Sequence, residues 1–202
     1  MNNDSFYKSL SIKNLEEFAV KTFGVNPPSD LVEILSLLKQ NQSVLEIGAG
    51  TGRIGIELIK KGFRYFGVDK QRKYLNVFKK RLKKENINIS NSTLLPIAFE
   101  ELNKDLKFDI IIFSWTVIWD FSKQEQFKAL ERAYFHLNKK GKCLLDNPSK
   151  RQEYNKYGSY APTPFYYDEW KQDLTNLGFV HSSKIYTTKT GVERELTILK
   201  KK

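Results

Sequence analysis

Cysteine is almost missing from this chain: Cys143 stands alone among 202 residues. That excludes an intramolecular disulfide and a cysteine-rich zinc site. Histidine is nearly as scarce, and His136 and His181 lie too far apart in sequence to suggest a multi-histidine metal cluster. No apolar run approaches the roughly 18 consecutive residues that span a bilayer. Residues Met1 to Leu10 carry Asp4 and Lys8 and show no apolar stretch of the secretory kind. These absences predict a cytoplasmic protein with no membrane segment. Arginine is thin too: most of the 34 basic residues are lysine. Phosphate and base-edge recognition leans on the guanidinium fork, so the net charge of +11 is discounted as a sign of nucleic acid. Abundant Lys, Asn and Ile are also what AT-rich codons supply.

What is present fits one soluble globular domain: 40% of residues are apolar and 28% are charged. No repeat, linker or low-complexity tract divides the chain. Hydrophobic periodicity predicts helices at Ser11 to Thr22 and from Ser29 or Asp30 to Leu38. A buried strand follows at Val44 to Ile47, then a helix at Arg53 to Lys61 and a strand at Tyr65 to Val68. A helix is expected at Gln71 to Lys84, and a third strand at Ile87 to Ile89. A short helix at Ala98 to Leu102 precedes the strand Phe108 to Phe113, apolar throughout like a central parallel strand. Lys123 to Leu137 reads as a helix with Phe127, Leu130, Tyr134 and Leu137 inward, leading to a strand at Lys142 to Leu145. Past Pro148 the pattern changes to a tyrosine-rich loop, a helix near Tyr167 to Leu177, and two strands joined at Thr190-Gly191. Five strand–helix units and a hairpin predict an α/β fold. It is a single doubly wound, mostly parallel seven-stranded sheet with a C-terminal antiparallel hairpin strand. Residues 1–40 are expected to form a helical lid on the same domain as residues 41–202.

The strongest chemical signal is Val44-Leu45-Glu46-Ile47-Gly48-Ala49-Gly50-Thr51-Gly52-Arg53. A strand runs into three glycines and then a helix, at the strand end where open α/β sheets bind ligands. The dinucleotide fingerprint would need its third glycine one residue later. An acid, Asp69, closes the second strand at Phe66-Gly67-Val68-Asp69, where a carboxylate can accept ribose hydroxyls or cap the next helix.

The form E-x-G-x-G-x-G followed by this spaced acid resembles the class I S-adenosylmethionine-dependent methyltransferases. Phe108-Asp109-Ile110-Ile111-Ile112-Phe113, Leu137 to Leu145 and the terminal hairpin extend the resemblance over roughly residues 40 to 199. It implies S-adenosylmethionine as cofactor. Gly48, Ala49, Gly50 and Gly52, with Glu46 and Arg53 beside them, would line its methionine part. Asp69 would hold the ribose and Lys70 would lie beside the adenosine. Ser114 and Trp115, at the end of the fourth strand, would complete the site. Family members often carry an acid after the third strand for the adenine amino group. Ser92, Thr93 and Leu94 stand there in this reading.

The acceptor is expected beyond the fourth strand, near Trp119 and Asp120. Trp119 would stack on it, and Asp120 would be the acid or base, or else cap the next helix. Trp119, Tyr7, Tyr157 and Tyr160 are the acceptor-wall candidates; the alternative is that these aromatics pack the core. The (D/N)-P-P-(Y/F) motif of adenine and amide N-methylases is absent after the fourth strand. Asp146-Asn147 resembles a magnesium-binding pair of catechol O-methyltransferases, but Ser114 replaces the acid that such a site also needs, so no metal is expected. His136 is expected at the surface, His181 in a structural role and Cys143 in the core as an inert thiol. The reading is therefore a small-molecule methyltransferase, monomeric or a weak homodimer. The second reading is an RNA or protein methyltransferase, suggested by the basic run from 60 to 84. The third is a non-catalytic cofactor-binding domain.

Overall fold

Helix boundaries follow local capping. The Ser11 hydroxyl accepts from the Asn14 N–H at 3.1 Å and starts α2, Ile12–Phe23, which Gly24 closes at φ 71°. Ser122 caps α6, Lys123–His136, in a reciprocal box with Glu125. The computed structural model describes residues 3–151 and 162–202. In chain order the other elements are α1 (Asn3–Ser9), α3 (Ser29–Leu35), β1 (Ser43–Ile47), α4 (Gly55–Lys60), β2 (Arg64–Val68) and α5 (Arg72–Lys84). They continue with β3 (Ser92–Leu95), β4 (Phe108–Phe113), β5 (Leu137–Pro148), α7 (Tyr167–Asn176), β6 (Phe179–Thr187) and β7 (Glu193–Lys201).

The strands form one sheet in the order β3-β2-β1-β4-β5-β7-β6. β1 pairs in parallel with β2 and β4, while β7 runs antiparallel to both β5 and β6. The predicted doubly wound sheet with its terminal hairpin is therefore observed. Alternate residues of the central strands feed two cores. Val44, Ile110, Ile112 and Leu144 face α3, α4 and α5, whereas Leu45, Ile111, Phe113 and Cys143 face α6 and α7. The Cys143 thiol is fully buried, and that burial pushes its pKa up, so it is an inert core group.

Several expectations are corrected. The third strand is Ser92–Leu95, not Ile87 to Ile89. The Ile87 N–H donates to Leu82 O at 3.0 Å and wraps the end of α5, while Ile89 is exposed. A polar edge strand is tolerated because β3 borders solvent and is only half-buried. α6 buries Gln126, Ala129, Leu130 and Ala133, and Phe127 points outward. His136 is buried, not at the surface: its Nδ1 lies 2.8 Å from Leu106 O, and burial lowers its pKa. α1 lies within the segment expected as a helical lid, ahead of the first helix whose bounds were expected. Its last carbonyls are taken from outside: Lys73 Nζ donates to Lys8 O (2.7 Å), and Tyr74 Oη to Tyr7 O (2.9 Å).

Candidate functional site

A cleft of about 1030 Å³ opens at the carboxyl ends of β1, β2 and β4. That is at the top of the roughly 300–1,000 Å³ range of ligand pockets. The loop after β1 forms its floor. The Gly48 and Ala49 N–H groups both donate to Val68 O, at 2.9 and 3.0 Å, so the loop is tied to the end of β2. The three glycines have positive φ of 70°, 54° and 87°, but they differ in why no side chain fits. A Cβ on Gly48 would come within 2.6 Å of Val117, and one on Gly52 within 2.3 Å of Phe78. A Cβ on Gly50 would meet nothing nearer than Gly48 O at 3.9 Å. Gly50 therefore presents bare backbone to open cleft, the arrangement that lets a ligand approach the main chain.

Asp69 links this loop to α5. Its Oδ2 accepts the Gly50 N–H at 2.8 Å and its Oδ1 the Gln71 N–H at 2.7 Å. Burial raises its pKa while these two donors pull it down. Lys70 lies next to it on the cleft wall. Glu46 lies beneath the loop, 2% exposed, and accepts from Tyr65 Oη (2.6 Å) and Ser114 Oγ (3.0 Å). Burial pushes its carboxyl up to about 7, against the lowering effect of these two donors. Arg53 reaches over the floor to Asp30 at 2.6 Å, with its guanidinium 4.3 Å from the Phe23 ring centre.

The walls come from four other segments. Tyr7, Leu15 and Ala19 of the N-terminal helices line one side, and Ser114 and Trp115 follow β4. Asp120 also lines the cleft, and Ser122 rather than Asp120 caps α6. Beyond β3 the lining is Ile97, Ala98, Phe99 and Glu100. Ser92, Thr93 and Leu94 are inside the edge strand and do not line the cleft, which corrects their placement. Arg132 braces the replacement segment, its Nε donating to Phe99 O (2.9 Å) and its Nη2 to Leu102 O (2.7 Å). Trp119 is also corrected. It is 1% exposed, packs edge-on against Tyr166 in the core and does not line the cleft. Its carbonyl accepts the Thr163 N–H at 2.9 Å, and so it fixes a lining residue from behind. Tyr157 and Tyr160 lie outside the described residues.

Residues 44–141 match a family model described as a methyltransferase domain. The glycopeptide N-methyltransferase MtfA, solved with S-adenosylmethionine, shares the fold at TM-score 0.70 and 16% identity, over 90% of this chain and 96% of its own. The family match is to a methyltransferase domain, and the likeness to the solved structure shows a shared fold. Magnesium protoporphyrin IX methyltransferase from Synechocystis is similar to this chain in fold, at TM-score 0.64 and 17% identity, over 85% of this chain and 74% of its own. A putative protein N5-glutamine methyltransferase of Methanocaldococcus jannaschii is 34% identical over 127 residues, 59% of this chain and 60% of its own. A probable ribosomal RNA small subunit methyltransferase A of Thermococcus sibiricus is 31% identical over 67 residues, 33% of this chain and 24% of its own. The chain thus spans less than two thirds of either curated relative it matches. Among the described residues, no helix is long and apolar enough to cross a membrane.

Sequence reasoning missed Ile97 to Glu100 because it set the third strand one segment early. It also missed Arg194 and Tyr186. Both donate to Asp146, so this acid is committed within the fold. No local pattern connects residues 48 apart in sequence.

Glu46 yields a pH prediction. A carboxyl held near 7 in the fold and near 4.5 when unfolded keeps its proton more tightly in the folded state. Its contribution to stability is therefore full below pH 4.5 and is lost as pH rises through 7, by a few kcal/mol at most. Glu46→Gln is expected to flatten that decline, measured by urea denaturation at pH 5 and pH 8. An unchanged slope would show that Glu46 is ionised in the folded protein across this range.

Proposed function

We propose that this chain is a methyltransferase that binds S-adenosylmethionine in the cleft and transfers its methyl group to a small-molecule acceptor. The observation that carries the reading is the charge of the cleft. The chain is basic overall, yet among the described residues the cleft is lined by eight of its 23 acids and four of its 34 basic residues. A carboxylate-rich pocket favours a cationic sulfonium ligand and repels a polyanionic acceptor at its mouth.

The bare backbone at Gly50 fits the close approach of an amino-acid moiety. Asp69 keeps acceptor lone pairs beyond its two backbone bonds and suits a ribose diol. Ile97, Ala98 and Phe99 offer apolar surface for a purine, and Glu100 offers an acceptor for its amino group. α1 and α2 act as the lid. When bound, the cofactor supplies an electrophilic methyl carbon on a positively charged sulfur. The chain's own part is to hold the acceptor in line with that carbon and to keep water out. Asp120 takes the proton from an acceptor that must lose one.

The N5-glutamine relative does not extend this reading to peptide glutamine. The segment after β4 reads Ser114-Trp115-Thr116-Val117, without the double proline expected of amide N-methylases. The second reading, an RNA acceptor, is favoured by the exposed lysines of α5, Lys79, Lys80, Lys83 and Lys84, and by the ribosomal RNA methyltransferase match.

Calorimetric titration with S-adenosylmethionine and S-adenosylhomocysteine is the direct test, followed by an acceptor screen. Micromolar binding of both, lost in Gly50→Val and retained in Glu100→Gln with weaker affinity, is the expected result. Binding without turnover on any small molecule, together with salt-sensitive RNA binding, would replace the acceptor class. No binding of either compound would remove the cofactor assignment from the cleft.

A further inference from the structure

The turn after β4 is held in a conformation that its residues disfavour. Trp115 and Thr116 both have positive φ, 48° and 64°, although one is bulky and the other β-branched. Such a turn persists only where its surroundings over-determine it. Phe23 and the Arg53 guanidinium lie against the Trp115 ring, and Asp146 accepts both backbone N–H groups of the turn. The Thr116 N–H donates to Asp146 O at 2.8 Å, and the Trp115 N–H to Asp146 Oδ2 at 3.3 Å.

Asp146 is itself fixed. Arg194 Nε donates to both carboxylate oxygens at 3.1 Å, Arg194 Nη2 to Oδ2 at 2.7 Å, and Tyr186 Oη to Oδ1 at 2.6 Å. The pair is 1% and 2% exposed and does not line the cleft. Arg194 reaches Trp115 by a second route. Its guanidinium lies 4.8 Å from the Phe23 ring centre, and Phe23 meets Trp115 edge-on at 6.0 Å. Buried ion pairs are often replaceable by apolar residues without loss of stability, so this one calls for a further role. The carboxylate's bond to the Trp115 N–H supplies it, beside the bond that the Asp146 main-chain carbonyl makes to Thr116.

We propose that Asp146 and Arg194 are positioning residues: they hold the Trp115–Thr116 turn in its left-handed form and so set Trp115 in the cleft wall. The functional consequence rests on the cofactor reading of the cleft given above.

The test uses the full chain, below the melting temperature of each variant. One readout is the affinity for S-adenosylhomocysteine. The other is the near-ultraviolet circular dichroism of Trp115, isolated by subtracting the Trp115→Phe counterpart of each protein. Asp146→Asn is expected to weaken binding at least tenfold and to collapse the Trp115 band. Thr116→Gly takes positive φ freely and is expected to restore most of both signals in the Asp146→Asn background. A folded Asp146→Asn protein with wild-type affinity and band overturns the proposal. So does a double variant with no recovery, because the loss would then not pass through the turn. Should Asp146→Asn fail to fold, Tyr186→Phe and Arg194→Lys remove parts of the cage and are read by the same two signals and the same rescue. If the wild-type protein does not bind S-adenosylhomocysteine, the cofactor reading fails. The Trp115 band still decides the positioning claim.

Discussion

Asp69→Ala is expected to raise the Kd for S-adenosylmethionine by about 100-fold or more, and to cost stability as well. Each hydrogen bond from a ligand hydroxyl to a carboxylate contributes about 1.5–3 kcal/mol, and two hydroxyls are at stake in a ribose. The stability loss has a separate origin. Asp69 accepts the N–H groups of Gly50 and Gln71, so its removal strands two donors next to the glycine loop. Each stranded buried donor costs about 1–3 kcal/mol unless water reaches it. Calorimetry and urea denaturation on the same samples separate the two effects. Asp69→Asn should fall between, because a neutral amide can accept from one of these N–H groups but would turn its own NH₂ toward the other. Retained affinity in a destabilised Asp69→Ala protein would make Asp69 a brace for the loop and nothing more.

Gly52→Ala is expected to produce the largest loss of stability among single substitutions in the loop, about 2–5 kcal/mol. Two costs add. Positive φ on a residue with a Cβ costs about 1–2 kcal/mol, and Gly52 sits at 87°. The new methyl would also stand 2.3 Å from the Phe78 ring, and overpacking of this kind costs about 1–3 kcal/mol. For a chain of this size, roughly 2–4 °C of Tm is lost per kcal/mol, so a drop on the order of 10 °C is expected. Gly50→Ala is the control. It carries a φ of 54° but meets open space, so it should lose only the backbone cost. Equal melting temperatures for the two variants would mean that Phe78 moves aside, and that the clash does not govern the glycine at 52.

The parts of the site legible in the sequence are those in which chemistry and chain order coincide. Glu46, the three glycines and Arg53 lie on one strand–turn segment, and Asp69 ends the next strand. Parallel pairing of β1 with β2 brings Ile47 beside Val68, so the acid had to lie near the loop. The parts that were not legible depend on contacts between distant segments. Ile87-Asn88-Ile89 alternates like a strand, but the end of α5 claims Ile87. Trp119 follows β4 just as Trp115 does. A 3₁₀ turn at Val117–Asp120 sends it into the core, and the forced turn at Trp115 leaves that ring in the cleft. No residue-type preference separates two tryptophans four positions apart.

Alternation of apolar residues, glycines at strand ends and capping residues act over a few neighbours. They determined the order of elements, the parallel sheet with its hairpin, and the position of the loop and of Asp69. The tertiary structure decided the rest. It assigned the cleft wall to Ile97 to Glu100 and buried Trp119 and His136. It also committed Asp146 to Arg194 and recruited α1 through Lys73 and Tyr74. The reason is that a buried polar group must find partners wherever the fold brings them, and those partners are set by packing between segments that the sequence keeps far apart.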